Sequence, residues 1–66
     1  MKDALRELRR KSGLSQADVA CVLGIQQPTV SMWETGENMP RASILPKLAE
    51  LYRCNINDLY GRGGKT

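Results

Sequence analysis

The stretch SQADVACVLGIQQPTVSMWETG, residues 15–36, decides the fold of this chain. It predicts two short helices joined by a tight turn. Ser15 is a preferred N-cap residue, and Asp18 follows three positions later, as in a capping box with aspartate in the acidic place. Gly24 ends the first helix because glycine enters the left-handed conformation without a Cβ clash. Pro28 fits the first turn of the second helix, where its missing N–H has no intrahelical partner.

Apolar residues within this stretch recur at the spacing of a helix, which predicts one buried stripe on each of the two helices. The first stripe consists of Val19, Ala20 and Leu23, and the second of Val30 and Trp33. Ile25 lies in the turn, where we expect it to fill the angle between the helices. The second helix is predicted from Gln26 to the glycine at position 36. Polar positions near its start must then project outward, because Val30 and Trp33 occupy the inner face.

The flanking sequence predicts three further helices. Residues 2–12 carry leucines on one face and cations on the others, and residues 43–53 carry a longer apolar stripe with a proline in the first turn. A short last helix is predicted from its cap Asn55 and from Asp58 at its third position, ending at Gly61. The predicted fold is therefore all-α, a compact five-helix bundle. Residues 1–61 form the domain, and the glycine-rich residues 62–66 form a flexible tail. The expected core stripe of the fourth helix comprises Ile44, Leu45, Leu48, Leu51 and Tyr52.

Composition narrows the class of protein. A chain of 66 residues makes one domain with a small core. No apolar run approaches the roughly 20 residues of a membrane helix, and no charged-then-apolar leader is present, so we expect neither membrane association nor secretion. Cys21 and Cys54, with no histidine in the chain, make neither a disulfide framework nor a metal site. We expect two small apolar thiols in a reducing cytoplasm and no cofactor.

Net charge and the set of reactive side chains exclude several classes of function but identify none. The formal net charge is +3, but Arg62 and Lys65 lie in the predicted tail, so residues 1–60 carry only +1. This balance supports a nucleic-acid partner weakly. No candidate triad, glycine-rich phosphate loop or clustered carboxylate pair is present. We therefore expect no catalytic residues and no enzymatic activity, and no small-molecule ligand.

Several positions together resemble a known family. Gln16 opening the first helix, Ala20 in its middle, Gly24 in the turn, Val30 in the second helix and a Trp-Glu-x-Gly ending resemble the helix-turn-helix of the phage Cro/repressor, or XRE-type, family. Matching positions on both flanks extend the resemblance over residues 2–60. It implies a lambda-repressor-like DNA-binding domain whose second helix in the motif enters the major groove. It also implies an ion pair between Arg9 and Glu34; Arg9 on a phosphate is the alternative.

The DNA-contacting surface is expected around the two helix starts of the motif. Glutamine side chains pair with adenine edges, and proline or methionine offer apolar contact to a thymine methyl. The predicted base contacts are Gln26, Gln27, Pro28, Ser31 and Met32. The predicted phosphate contacts are Gln16, Thr29, Asn38 and Arg41. Gln16 at a helix start suits a phosphate, with a plain first-turn position as the less favoured alternative. Arg41 is equally compatible with a solvated charge.

Function follows from these expectations in two alternative forms. The first is a sequence-specific regulator of double-stranded DNA, a repressor of a phage, mobile element or bacterial operon, binding its operator as a two-fold dimer. Ile56, Leu59 and Tyr60 are then candidates for the dimer interface, or else core residues. The second is a protein-interaction adaptor or antitoxin-type module on the same fold, which the low charge of residues 1–60 favours.

Overall fold

Five helices account for most of residues 1–61, the part of the chain that the computed structural model describes. They are α1 (Lys2–Lys11), α2 (Gln16–Leu23), α3 (Gln27–Thr35), α4 (Leu45–Leu51) and α5 (Ile56–Leu59), with no strand in that range. The all-α, five-helix prediction is confirmed. The predicted tail, residues 62–66, lies outside the described residues. None of the helices in residues 1–61 combines the length and apolar character needed to cross a bilayer.

The first helix joins two pairs of helices into one bundle. Helix α2 packs against α3, α4 packs against α5, and α1 contacts both α3 and α5. Burial of apolar side chains on these shared faces drives the assembly. The core consists of Leu5, Val19, Ala20, Val30, Trp33, Leu45, Leu48, Ala49, Tyr52 and Leu59. Each helix contributes to it, so α3 is held from two sides while its remaining face stays outside.

The turn between α2 and α3 has the geometry that its glycine predicts. Gly24 adopts the left-handed conformation with φ of 70°, and its Cβ position would be open, so the backbone angle alone selects glycine there. The Ile25 N–H donates to the carbonyl of Ala20 at 2.9 Å. Ile25 itself is half-buried and packs against the core. The turn is therefore closed by a hydrogen bond and an apolar contact, which fix the angle between α2 and α3.

The predicted boundaries of the fourth helix were wrong at both ends. Residues 42–44 form a turn, and α4 begins at Leu45 with Ile44 as its N-cap, two residues later than predicted. A start at Leu45 places Pro46 in the first turn, where no N–H is required, whereas an earlier start would have placed it where the ladder needs a donor. At the other end, Tyr52 is the C-cap and Arg53 has φ of 55°, the left-handed conformation that closes a helix.

One candidate for the dimer interface is part of the core. Leu59 is 0 % exposed and offers no surface to a partner, so of its two predicted alternatives the structure favours a core residue over a dimer interface. Leu59 is the last residue of α5 and packs into the core, where α5 contacts α1 and α4. Ile56 and Tyr60 are 40 % and 42 % exposed and remain available on the outside of the same helix.

Candidate nucleic-acid interface

Helix α3 has a buried face and an outer face that differ sharply in chemistry. Val30, Trp33 and Glu34 are buried, and they recur at intervals of three and four residues, which places them on one side of the helix. We call the set of exposed or half-buried residues Gln27, Pro28, Ser31, Met32 and Thr35 the outer face.

The start of α3 presents two adjacent glutamines. Gln26 is the N-cap in extended conformation, and its side chain makes no capping hydrogen bond; the helix proper starts one residue later than predicted. Gln26, Gln27 and Pro28 are exposed, whereas Ser31 and Met32 are half-buried. All five residues predicted to contact bases therefore have exposed or half-buried side chains. Two free amide groups on a rigid helix start are suited to bidentate hydrogen bonding with a base edge.

The sequence interpretation missed Thr35 on this outer face. It lies four residues after Ser31, so the helical period alone would have identified it. Its hydroxyl donates to the Met32 carbonyl at 3.2 Å and lies 3.0 Å from the Glu37 carboxylate. These hydrogen bonds occupy the hydroxyl within the protein. Thr35 therefore marks the C-terminal edge of the outer face.

An ion pair fixes the inner face of α3 to α1. The Arg9 Nε donates to Glu34 Oε2 at 2.7 Å, and Nη2 donates to Oε1 at 3.1 Å, so the contact is bidentate. A third Arg9 nitrogen donates to the Leu14 carbonyl at 2.8 Å, which ties in the turn before α2. Arg9 is thus occupied by protein groups on three nitrogens.

The electrostatics of Glu34 follow from its partners. Burial by itself raises the pKa of this carboxyl, but the hydrogen bonds from Arg9 and Gln16 and the nearby guanidinium charge outweigh burial, so the pKa lies below its ordinary value. The hydrogen bond to Glu34 is the main cause that raises the Arg9 pKa. Both groups are therefore charged across the neutral range.

Gln16 reaches from the first turn of α2 to the same carboxylate. Its Nε2 donates to Glu34 Oε1 at 3.1 Å, and the side chain is half-buried. The capping box predicted at this helix start is present: the Asp18 N–H donates to Ser15 Oγ at 3.0 Å, and the Ser15 N–H donates to Asp18 Oδ2 at 2.9 Å. Gln16 is therefore neither a free surface residue nor a plain helix start.

Three of the predicted phosphate contacts surround one depression. Thr29, Asn38 and Arg41 line an open hollow of about 450 Å³ beside α3, together with the apolar side chains Ile25, Trp33, Met39 and Ile44. Asn38 is positioned by its N–H, which donates to the Met32 carbonyl at 3.2 Å. Gln16 does not line this hollow.

The charges of the motif itself do not favour an anion. Residues 12–40 contain three acidic residues, Asp18, Glu34 and Glu37, and no lysine or arginine. Arg9 neutralises Glu34, and the Asp18 carboxylate caps its own helix. Arg41 is the first cation after this stretch; it is exposed and, among residues 1–61, takes part in no ion pair. Attraction of a phosphate backbone must therefore come from a few placed groups. Among residues 1–61, no cluster of potential metal ligands comes together.

Helices α2 and α3 and the glycine turn between them form a helix-turn-helix. The inner face of the second helix is anchored to the core, and its outer face is polar. The profile of the helix-turn-helix family matches residues 5–59, most of the chain. The chain therefore belongs to this family, in its Cro/C1-type branch of DNA-binding transcription regulators. The resemblance described from the sequence is confirmed.

Curated relatives carry regulatory names. An uncharacterized HTH-type transcriptional regulator of Archaeoglobus fulgidus is 30 % identical over 60 residues, which is 91 % of this chain and 86 % of that protein. The cryptic phage CTXphi transcriptional repressor RstR of Vibrio cholerae is 31 % identical over 62 residues, 94 % of this chain and 55 % of the relative. Antitoxin HigA1 of Mycobacterium tuberculosis is 45 % identical over 47 residues, 71 % of this chain and 32 % of the relative.

This chain spans about half the length of RstR and a third of HigA1. The family is one of regulators rather than enzymes. No solved structure matches the chain at a significant level.

Proposed function

We propose that this protein is a sequence-specific regulator of double-stranded DNA that acts as a repressor, with α3 in the major groove. The observation that carries the proposal is the outer face of α3. It starts with two unengaged glutamines and is held by a core and an ion pair on its other side. A rigid helix with polar side chains at its start is the geometry that helix-turn-helix proteins use to contact base edges.

In this proposal, residues at the start of α3 and along its outer face contact the bases, and residues around them bind phosphates and so position the domain on the DNA. Gln26 and Gln27 donate to and accept from base edges, and Pro28 and Met32 supply apolar contact, with Ser31 between them. Thr29, Asn38 and Arg41 hold a phosphate beside the hollow that they line, and Gln16 holds another at the start of α2. Hydrogen bonds to phosphate fix the register without reading sequence.

A two-fold dimer on the operator completes the proposal. One domain of this size reads a half-site, and two domains one helical turn apart read a palindrome. Ile56 in α5 and Tyr60, the C-cap of this helix, are exposed and form the proposed contact between protomers. The partner is the operator duplex, in the cytoplasm of a bacterial or phage-infected cell, without cofactor or small-molecule ligand. RstR, named a transcriptional repressor, supports the sign of regulation.

The test separates base reading from phosphate positioning. Operator sites are first selected from a random DNA pool. Gln27→Ala and Gln16→Ala are then titrated against the operator, its single-base-pair variants and a nonspecific duplex. We expect Gln27→Ala to weaken operator binding by about 1–3 kcal/mol and to relax preference at one base pair per half-site. We expect Gln16→Ala to weaken all duplexes by one common factor.

Two outcomes contradict this assignment. If Gln27→Ala lowers every affinity equally, Gln27 does not read a base. If both variants bind every duplex like the parent, this surface is not the DNA interface. Thermal unfolding of both variants serves as the control: Gln27 is exposed, whereas Gln16→Ala removes one hydrogen bond to Glu34, so titrations are made at a temperature where both variants are folded.

A second candidate function is an antitoxin-type or adaptor module. The similarity to antitoxin HigA1 and the absence of cations from residues 12–40 favour it. A DNA-binding regulator shows an affinity that falls steeply with salt, because phosphate contacts release counterions. Titration of a nonspecific duplex at two salt concentrations distinguishes the two functions: an adaptor that has lost DNA binding shows no such association at either salt.

A further inference from the structure

The amide of Gln16 is held in one orientation by its partner. A carboxylate only accepts hydrogen bonds, so the NH₂ group of Gln16, not its carbonyl, must face Glu34. The 3.1 Å contact between Nε2 and Oε1 uses one of the two N–H bonds of that group. The second N–H belongs to the same nitrogen. The hydrogen bond to Glu34 fixes the position of that nitrogen and leaves its second N–H available to another acceptor.

Glu34 is the fixed member of this contact. Its side chain is buried, with 5 % of the residue exposed. Two nitrogens of Arg9 clamp both of its oxygens, and a third nitrogen of Arg9 binds the Leu14 carbonyl. Gln16 is the flexible member, with three rotatable bonds and a half-buried side chain. The fixed carboxylate of Glu34 therefore restricts the conformations of the Gln16 side chain.

We propose that Glu34, clamped by Arg9, is a positioning residue for DNA binding, which holds Gln16 so that its second amide N–H donates to a phosphate at the start of α2. The inference rests on the proposed function. It assigns the ion pair a role beyond stability: a glutamine ordered before binding loses less conformational freedom when it meets the phosphate. Arg9 acts in the same device by neutralising a carboxylate that would otherwise repel the backbone.

The charge of Glu34 makes the prediction specific. If Glu34 had no role beyond holding the fold, removing its negative charge near a phosphate would strengthen DNA binding. Glu34→Asp avoids this ambiguity because it keeps the charge and withdraws the carboxylate by about 1.5 Å, the length of one carbon–carbon bond. The shorter side chain still attracts the Arg9 guanidinium, but its carboxylate no longer reaches the Gln16 amide, so that hydrogen bond is lost.

The experiment is a double-mutant cycle on DNA affinity with Glu34→Asp, Gln16→Ala and their combination. Each protein is titrated against the selected operator and a nonspecific duplex, at a temperature where thermal unfolding shows all four to be folded. We expect Glu34→Asp to weaken both affinities about two- to tenfold, the range set by the freedom that one ordered side chain loses. In the Gln16→Ala background the same change should have no effect.

A second measurement needs no variant and no DNA. By NMR, the side-chain NH₂ of Gln16 in the free wild-type protein should exchange with water more slowly than those of Gln26 and Gln27, which are exposed. Equal exchange at all three glutamines would overturn the positioning role directly, whatever the folding of Glu34→Asp.

The remaining outcomes are also decisive. Equal weakening by Glu34→Asp in both backgrounds, or no weakening, means that Glu34 acts only on the fold, and the inference fails. If Gln16→Ala binds like wild type while Gln27→Ala loses base preference, the inference fails but the proposed function stands. If the wild-type protein binds no duplex, both fail.

Discussion

At the residue scale, Trp33 connects the inner face of α3 to the rest of the core. It is the only tryptophan of the chain and is 6 % exposed. Truncation removes a large buried side chain and leaves a cavity, so we expect Trp33→Ala to cost about 3–5 kcal/mol of unfolding free energy. This cost is a large fraction of the total unfolding free energy of a small domain. Urea unfolding followed by circular dichroism measures the change.

The matched control for Trp33 is an exposed apolar residue on the neighbouring helix. Val22 is 64 % exposed, so Val22→Ala should change the unfolding free energy by less than about 0.5 kcal/mol. The emission of the wild-type tryptophan should also be that of a buried indole. Solvent-like emission from the folded protein would contradict the burial of Trp33.

Glu34 predicts a dependence of stability on acid. Its pKa is lowered in the folded protein, so its ionised form stabilises the fold at every pH above the ordinary value near 4.5. That contribution is lost as the pH falls through the lower, folded-state pKa. We expect Glu34→Gln to cost about 1.5–3 kcal/mol at neutral pH. The difference from wild type should shrink as the pH falls below 4.5 and disappear only below the folded-state pKa. Urea unfolding of both proteins across this range measures it; a difference that stays constant into strong acid would show that Glu34 is not ionised in the fold.

Side-chain contacts are where the sequence was least informative. The Arg9–Glu34 pair was implied by the resemblance to a family, not by the spacing of two residues 25 positions apart. The hydrogen bond from Gln16 to Glu34 had no signal in the sequence at all. It exists because the angle between α2 and α3 brings a first-turn residue of one helix to the last turn of the other.

At the element scale, the caps show what local sequence determines. Both capping boxes, Ser15 with Asp18 and Asn55 with Asp58, were predicted and are present. Each satisfies backbone N–H groups through residues three apart in sequence. The fourth helix was mispredicted because its apolar stripe continues past the backbone ends of the helix. Apolar periodicity reports which residues face a core, and it says less about where the helical backbone starts or stops.

Two serines test this distinction. Ser15 accepts a hydrogen bond from the Asp18 N–H, whereas Ser43 is exposed, lies in a turn and caps no helix. We expect Ser15→Ala to cost about 1 kcal/mol of unfolding free energy, the usual value of an N-cap. Ser43→Ala should be neutral within about 0.5 kcal/mol. Thermal unfolding of the two variants gives the comparison, and equal costs would mean that the cap of α2 contributes nothing.

At the scale of the whole molecule, the bundle was predictable but the distribution of charge around it was not. Five helices and the core followed from apolar periodicity and from glycine and proline positions, because burial of apolar faces dominates the fold of a small domain. Net charge gave only weak support for a nucleic-acid partner. The sequence places the cations outside residues 12–40; the structure adds that Arg9 is engaged by Glu34 and that Arg41 borders the hollow beside α3, so any electrostatic attraction depends on individual residues such as Arg41.

The dependence of DNA affinity on salt tests this arrangement in the whole molecule. Each phosphate neutralised by a cation contributes about −0.9 to the slope of log affinity against log salt. Arg41 borders the hollow beside α3, while Arg53 lines grooves with residues of α1 and α5. Arg41→Gln and Arg53→Gln remove the same charge, so a general effect of net charge would alter both slopes equally. We expect Arg41→Gln to reduce the slope by about 1 per bound chain and Arg53→Gln to leave it unchanged, measured by titration of a nonspecific duplex from low to physiological salt. Equal slopes for the two variants would place the phosphate backbone away from Arg41.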